Sequence, residues 1–263
     1  MTSTPEQQSP ERPGVGEMLS AAAALMRDFP RETMLPLLAI QTPLVIGTIL
    51  LTVLLYSSVF ADEVYPRGGI TGATEAGAQV IVLVVVVAAG VVLGLVAQGA
   101  TIVSVAAVAR GQPLTLSQAL DPAFTRLGGL IVLTVIFTVV GGLLAFTIVG
   151  LAVIPFLIAR FGVAYQVYLL EQTSPIEALT QSWRTMQGNM LRLLGIMVIG
   201  LALAFLIGAL VPVSPGPESA SRELRMAIDA GLRILQGGIL IPVAAFAHAS
   251  ITLYYLRIRE ETP

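Results

Sequence analysis

Residues 127–170 read LGGLIVLTVIFTVVGGLLAFTIVGLAVIPFLIARFGVAYQVYLL. Arg126 and Glu171 bound the stretch, and inside it only Arg160, Tyr165 and Tyr168 can ionise. At about 1.5 Å rise per residue, one helix of this length would far exceed a hydrocarbon core of roughly 30 Å. The chain must turn back, and Val149-Gly150-Leu151, with Pro155 just beyond, is the expected place. The stretch is therefore two membrane-spanning helices joined by a tight hairpin.

The same reading extends to both sides. Further apolar stretches run from about 35 to 60, 78 to 109, 190 to 211 and 232 to 256, which brings the expected spans to six. The stretch 78–109 is long enough to tilt, to project beyond the membrane, or to bend at Gly90, Gly94 or Gly99. Composition agrees. Apolar residues make up 56% of the 263 positions and charged residues 11%, with a mean hydropathy of +0.87. A soluble domain carries about a quarter charged residues, so lipid is the expected solvent and the fold class is an all-α polytopic bundle. Residues 1–13 are polar and Pro-rich and lack the basic start of a signal peptide, so a disordered tail is expected there. Residues 14–258 read as a single membrane domain and 259–263 as a C-terminal tail.

Orientation follows from arginine placement, since every basic residue is Arg. With both termini inside, inner segments hold nine arginines, among them Arg27, Arg31, Arg110, Arg126, Arg184, Arg257 and Arg259. Outer segments hold Arg67, Arg222, Arg225 and Arg233. The expected location is the cytoplasmic membrane, with both ends cytoplasmic.

The inner connections carry local signals. Ser174-Pro-Ile-Glu177 has the form of a capping box with Pro at the first helical position. The helix it opens places Ile176, Leu179, Trp183, Met186 and Met190 on one apolar stripe. This interfacial helix either rests on lipid, with Trp183 at headgroup level, or packs on the protein's own spans. Thr115-Leu-Ser-Gln118 is a second box of the same kind, and Met18, Ala22, Leu25, Met26 and Phe29 form an apolar face before the first span. LSAAAALMRDF, LSQALDPAFTRL and IEALTQSWRTM are locally similar. A threefold repeat of amphipathic helix, span up and span back follows, with units 14–110, 111–172 and 173–258.

Chemistry-bearing residues are few. The absence of cysteine removes disulfides and thiolate chemistry, and the single histidine, His248, rules out a His-rich metal site. No phosphate-cradling, zinc-protease or nucleophile-elbow motif is present. The net charge of −2 gives no footing for nucleic acid. No catalytic residue, metal or cofactor is expected. Arg160 lies about eleven residues before Glu171 and so reaches mid-membrane if the helix is straight. A charge there costs about 3 kcal/mol on insertion scales and must face protein or water. His248, at similar depth, could share one polar pocket with it and with Gln98, Gln166 or Gln236. Such a pocket would contact an anion or headgroup; otherwise these groups are structural.

Two stretches carry a resemblance. Val167-Tyr-Leu-Leu-Glu171 with Ser174-Pro-Ile-Glu-Ala-Leu-Thr-Gln-Ser-Trp183, and the ending Leu253-Tyr-Tyr-Leu-Arg257-Ile-Arg259-Glu260, resemble the membrane domain named after glycerophosphoryl diester phosphodiesterases. This is a bacterial multi-pass family. The chain departs from the family pattern at Leu256, where an acid is common, and at Thr185-Met-Gln-Gly188, which lacks a basic turn residue. The resemblance implies a multi-pass fold and no enzyme activity, because the phosphodiesterase barrel fused to some members has no counterpart here. The expected role is a scaffold or assembly component, with lipids and a membrane-protein partner or second copy as neighbours. The alternative is a transporter or channel for a small anion or lipid-derived amphiphile. A reporter fused after Pro263 is expected to be active only in the cytoplasm, and activity on the opposite side would invert the topology.

Overall fold

A computed structural model describes residues 14–64, 70–210 and 222–261. The expected tail at 1–13 lies outside the described residues. So do the outer segment 211–221 and part of the C-terminal tail. In chain order the helices are α1 (Val15–Asp28), α2 (Pro30–Val64), α3 (Ile70–Ala109), α4 (Leu116–Thr125), α5 (Leu127–Ala145), α6 (Ile148–Phe161), α7 (Ala164–Leu170), α8 (Pro175–Thr185), α9 (Met190–Leu210) and α10 (Arg222–Glu261). Six segments are long and apolar enough to cross a membrane: Pro30–Ile49, Val80–Ala109, Leu127–Ala145, Ile148–Leu170, Met190–Leu210 and Gly231–Glu260. The architecture is an all-α polytopic bundle. Three times, a short amphipathic helix (α1, α4, α8) precedes two span-forming segments.

The hairpin in 127–170 turns at Phe146–Thr147, a few residues before the expected place. The reason is the N-cap of α6: Thr147 Oγ1 accepts from the Gly150 amide at 2.9 Å. Gly150 is needed one turn later, where a Cβ would overlap the Leu144 carbonyl and the Thr147 side chain. The returning span is also broken. α6 ends at Phe161 and α7 resumes at Ala164, and Gly162 between them lets the joint press against Leu193 and Met197 of α9. By contrast α3 is continuous through Gly90, Gly94 and Gly99. A Cβ at Gly90 or Gly94 would meet nothing, whereas one at Gly99 would press on Ala123 of α4. Among the described residues the G-x-x-x-G pair therefore makes no close helix contact, and the glycine beyond it does.

Packing is concentrated at the end that carries the amphipathic helices. The main core joins Met18 of α1, Ile102 of α3, Leu130 and Leu133 of α5, Val163 at the α6–α7 joint, Val167 of α7, Met186 after α8, Leu193 of α9 and Tyr254 of α10. Small residues bring helices together beside it: Val96 and Ala100 of α3 on Ala119 and Ala123 of α4, and Ala22 of α1 with Val105 and Ala249. At the far end Val80–Val85, Phe146, Ile148 and Leu210 are exposed, as suits a lipid-facing surface. α8 settles its choice by burying Ala178, Ser182 and, just beyond its end, Met186 against the bundle. The protein-facing side is thus rotated from the predicted stripe, and Ile176 is left exposed.

Gly129 in α5 sits directly beneath the Tyr168 hydroxyl, with no room for a Cβ, while its neighbour Gly128 is open. Gly129→Ala is expected to lower thermal stability by about 1–3 kcal/mol through overpacking. Gly128→Ala is expected to leave it unchanged or raise it by about 0.4–1 kcal/mol. Melting of the detergent-solubilised variants checks the contrast.

Candidate functional site

Each broken span leaves carbonyl groups without intrahelical donors. Two reciprocal clasps satisfy them. In the first, Arg126 stands between α4 and α5 and donates from one guanidinium nitrogen to the Tyr168 carbonyl near the end of α7. From the other it donates to the Thr173 carbonyl at 2.7 Å. Its guanidinium lies 4.3 Å over the Tyr168 ring, and the Tyr168 hydroxyl donates back to the Arg126 carbonyl at 3.0 Å. A cation at a helix C-terminus also meets the negative end of the helix dipole.

Arg160 forms the second clasp. Its guanidinium donates to the Trp183 carbonyl at 3.3 Å in the last turn of α8, and Ser182 Oγ returns a bond to the Arg160 carbonyl at 3.0 Å near the end of α6. The charge lies 4.6 Å from the Trp183 ring centre and 5.4 Å from that of Phe156. Phe156 and Phe161 pack on the same indole at 5.8 and 5.5 Å. Arg160 therefore stands beside an amphipathic helix. It also lies near the middle of the Ile148–Leu170 span, which breaks just beyond it at Gly162.

A third cluster is centred on Glu171, the C-cap of α7. One carboxylate oxygen accepts from the Tyr255 hydroxyl and pairs with Arg259 at 2.8 Å, while the other accepts from the Gln181 amide. Elements α7, α8 and α10 are thereby tied at one acid. Gln172, next in the chain, takes a left-handed conformation with φ 54°, which turns the chain from α7 toward α8. Ser174 Oγ then accepts from the Glu177 amide at 3.3 Å and opens α8. At α4 the side chain of Gln118 accepts from the Thr115 amide at 2.9 Å. Nearby, Tyr254 donates to the Asn189 carbonyl at 3.1 Å, and Arg257 pairs with Glu17 of α1 at 3.7 Å.

The five residues proposed as an intramembrane polar site do not form a network. No hydrogen bond joins any two of Arg160, His248, Gln98, Gln166 and Gln236. Gln236 of α10 packs near Gly208 of α9, and Gln166 is buried on α7 with its carbonyl oxygen unpartnered. His248 and Gln98 are half-buried on α10 and α3. Ser174 caps α8, and Glu177 and Trp183 lie on it. Arg126 and Glu171 were read from sequence only as charges bounding the spans. The available signal was an ionisable group at each span end with a tyrosine inside, since a charge at that depth must find a partner.

Among the described residues no three His, Asp or Glu side chains converge on a metal position. Every strong acceptor of Glu171 is committed to a donor, and each clasp arginine bonds to main chain. The arrangement holds helices together and offers no poised base or nucleophile. The chain matches no family model, no curated protein and no solved structure.

Glu171→Ala would free Tyr255, Gln181 and Arg259 together. Amide exchange across 254–259 is expected to accelerate by roughly tenfold, as for loss of about 1.5 kcal/mol of charge-assisted bonding. Overall helicity should stay unchanged, and unaltered exchange there would refute the tie.

Proposed function

We propose that this protein is a non-enzymatic scaffold or assembly component of the cytoplasmic membrane, with both termini on the cytoplasmic side. The observation that carries the reading is the engagement of Arg160. A transport arginine is expected to line a wet cavity between helices. This one is stacked on two aromatic rings and donates to a helix-end carbonyl. Of the intramembrane residues singled out, the one with a permanent charge thus binds a helix end, with its Nε left unpartnered. The arginine excess falls at the end covered by α1, α4 and α8, and that end is taken as cytoplasmic.

Resemblance to the membrane domain named after glycerophosphoryl diester phosphodiesterases belongs to the same proposal. The two stretches that carry it meet in space: Glu171 of the first receives Tyr255 and Arg259 of the second. Lipids are the expected neighbours, with a membrane-protein partner or second copy at the exposed outer halves of the spans. No cofactor is proposed.

Flux measurements on proteoliposomes test the assignment. Chloride and phosphate efflux from vesicles holding the wild-type chain is expected to equal that from empty vesicles. Arg160→Gln should leave efflux unchanged while lowering thermal stability by about 1–3 kcal/mol through the unsatisfied carbonyl and lost stacking. Wild-type flux that disappears in Arg160→Gln would replace the scaffold by a transporter.

A further inference from the structure

A cleft of about 380 Å³ opens beside the first turn of α2, where the first span begins. Its size lies within the roughly 300–1,000 Å³ of small-molecule sites. On one side stand Arg31, Glu32, Leu35 and Pro36 of α2, and on the other the connection into α4, with Leu114. Ser104 of α3 forms the floor. The α3 stripe that packs on α4 runs Val96, Ala100, Ser104, and at Ser104 it has passed the start of α4.

Three features of this cleft are unsatisfied within the protein. The Ser104 side chain is fully buried, and its hydroxyl has no hydrogen-bond partner. Buried hydroxyls are ordinarily bonded, so this one calls for a ligand or water. Arg31 and Glu32 make no ion pair or hydrogen bond with any described side chain, although both line the same opening. Pro36 has no N–H to give the Glu32 carbonyl, which leaves a further acceptor on the Glu32 side. The site therefore presents a cation, an anion with an extra acceptor, and a deep hydroxyl. Leu35 is 37% exposed on the first turns of the span, so the cleft continues into a lipid-facing surface.

We propose that the cleft binds one phospholipid with a primary-amine headgroup, of the phosphatidylethanolamine class. The phosphate pairs with Arg31, the ammonium with Glu32 and its freed carbonyl, and Ser104 donates to a phosphate or ester oxygen. The acyl chains leave past Leu35. Adjacent opposite charges select a zwitterion over an anionic lipid, and a carboxylate with a free carbonyl favours an N–H donor over a trimethylated amine. The inference rests on the interfacial position of α2 and is independent of the scaffold reading.

Native mass spectrometry of the full chain in detergent, with equimolar phosphatidylethanolamine, phosphatidylcholine and phosphatidylglycerol, tests it. The ethanolamine lipid is expected to be retained on the order of three- to tenfold over the other two, the range open to partly exposed charge pairs. Glu32→Gln should bring it down to the level of phosphatidylcholine. Arg31→Gln should reduce all three, and Ser104→Ala should reduce binding without changing selectivity. Equal retention by the wild type, preference for phosphatidylglycerol, or selectivity that survives Glu32→Gln would overturn the proposal. Tail-free glycerophosphoethanolamine distinguishes the sources of the headgroup. Weak competition supports a lipid, and competition equal to that of the lipid itself overturns it in favour of a soluble ligand. Far-UV circular dichroism confirms that each variant is folded, and Arg31→Lys, which keeps the charge, should retain most binding.

Discussion

The constraint on which the structure depends is the need to satisfy carbonyl groups where helices stop inside or beside the membrane. A continuous span satisfies its own backbone, but a broken one does not, and lipid offers no donors. This chain breaks the span after α6, and α4, α7 and α8 are short. Each of those ends receives a side chain from another element: Arg126 serves α7, Tyr168 serves α4, Arg160 serves α8 and Ser182 serves α6. The bonds are reciprocal, so each clasp holds two helix ends with two residues. Charged donors suit the task because they bond more strongly than neutral ones and meet the negative end of the helix dipole.

Close packing follows from the same end of the molecule. Short amphipathic helices can reach the span ends only if the contact residues are small, and Ala119, Ala123, Ala178 and Ser182 provide that. Tyr168 occupies the space left by Gly129, where it can both stack on Arg126 and reach its carbonyl. Glycine and arginine thus act as one device: the first admits the ring and the second is held by it. The described outer halves of the spans expose valines and leucines. They need only be apolar, because dispersion with lipid tails replaces side-chain packing there.

Much of the architecture was legible in the sequence, for a simple reason. A span is a signal of about twenty residues that a few substitutions do not blur. The six spans were of this kind, and the helix start at Ser174 was legible from its short capping motif. Joints were less legible because they depend on single residues. Thr147 moved the hairpin by capping α6, and Gly162 ended a helix that periodicity would have continued. α8 rotated its inward face toward Ala178 and Ser182 while keeping Met186 of the predicted stripe buried, because closeness of approach favoured Ser182 over Ile176. The Glu171 cluster was out of reach: its partners lie ten and 84 residues away in sequence, and no local pattern pairs them.

The two kinds of charged residue at the helix-covered end can be separated by what they touch. Arg126, Arg160, Glu171 and Arg259 have protein partners, so removing one leaves a half-buried group unsatisfied. That cost falls on folding, and it opposes any cycle in which these residues release their partners to a substrate. Arg31 and Glu32 have no such bonds, although they line a cleft whose floor is a buried, unpartnered hydroxyl. Their charges cost the fold little to keep available, and a ligand can engage them without dismantling a helix joint. Recognition at this end of the bundle is therefore better sought at the free pair beside α2 than at the arginine that first drew notice within the span.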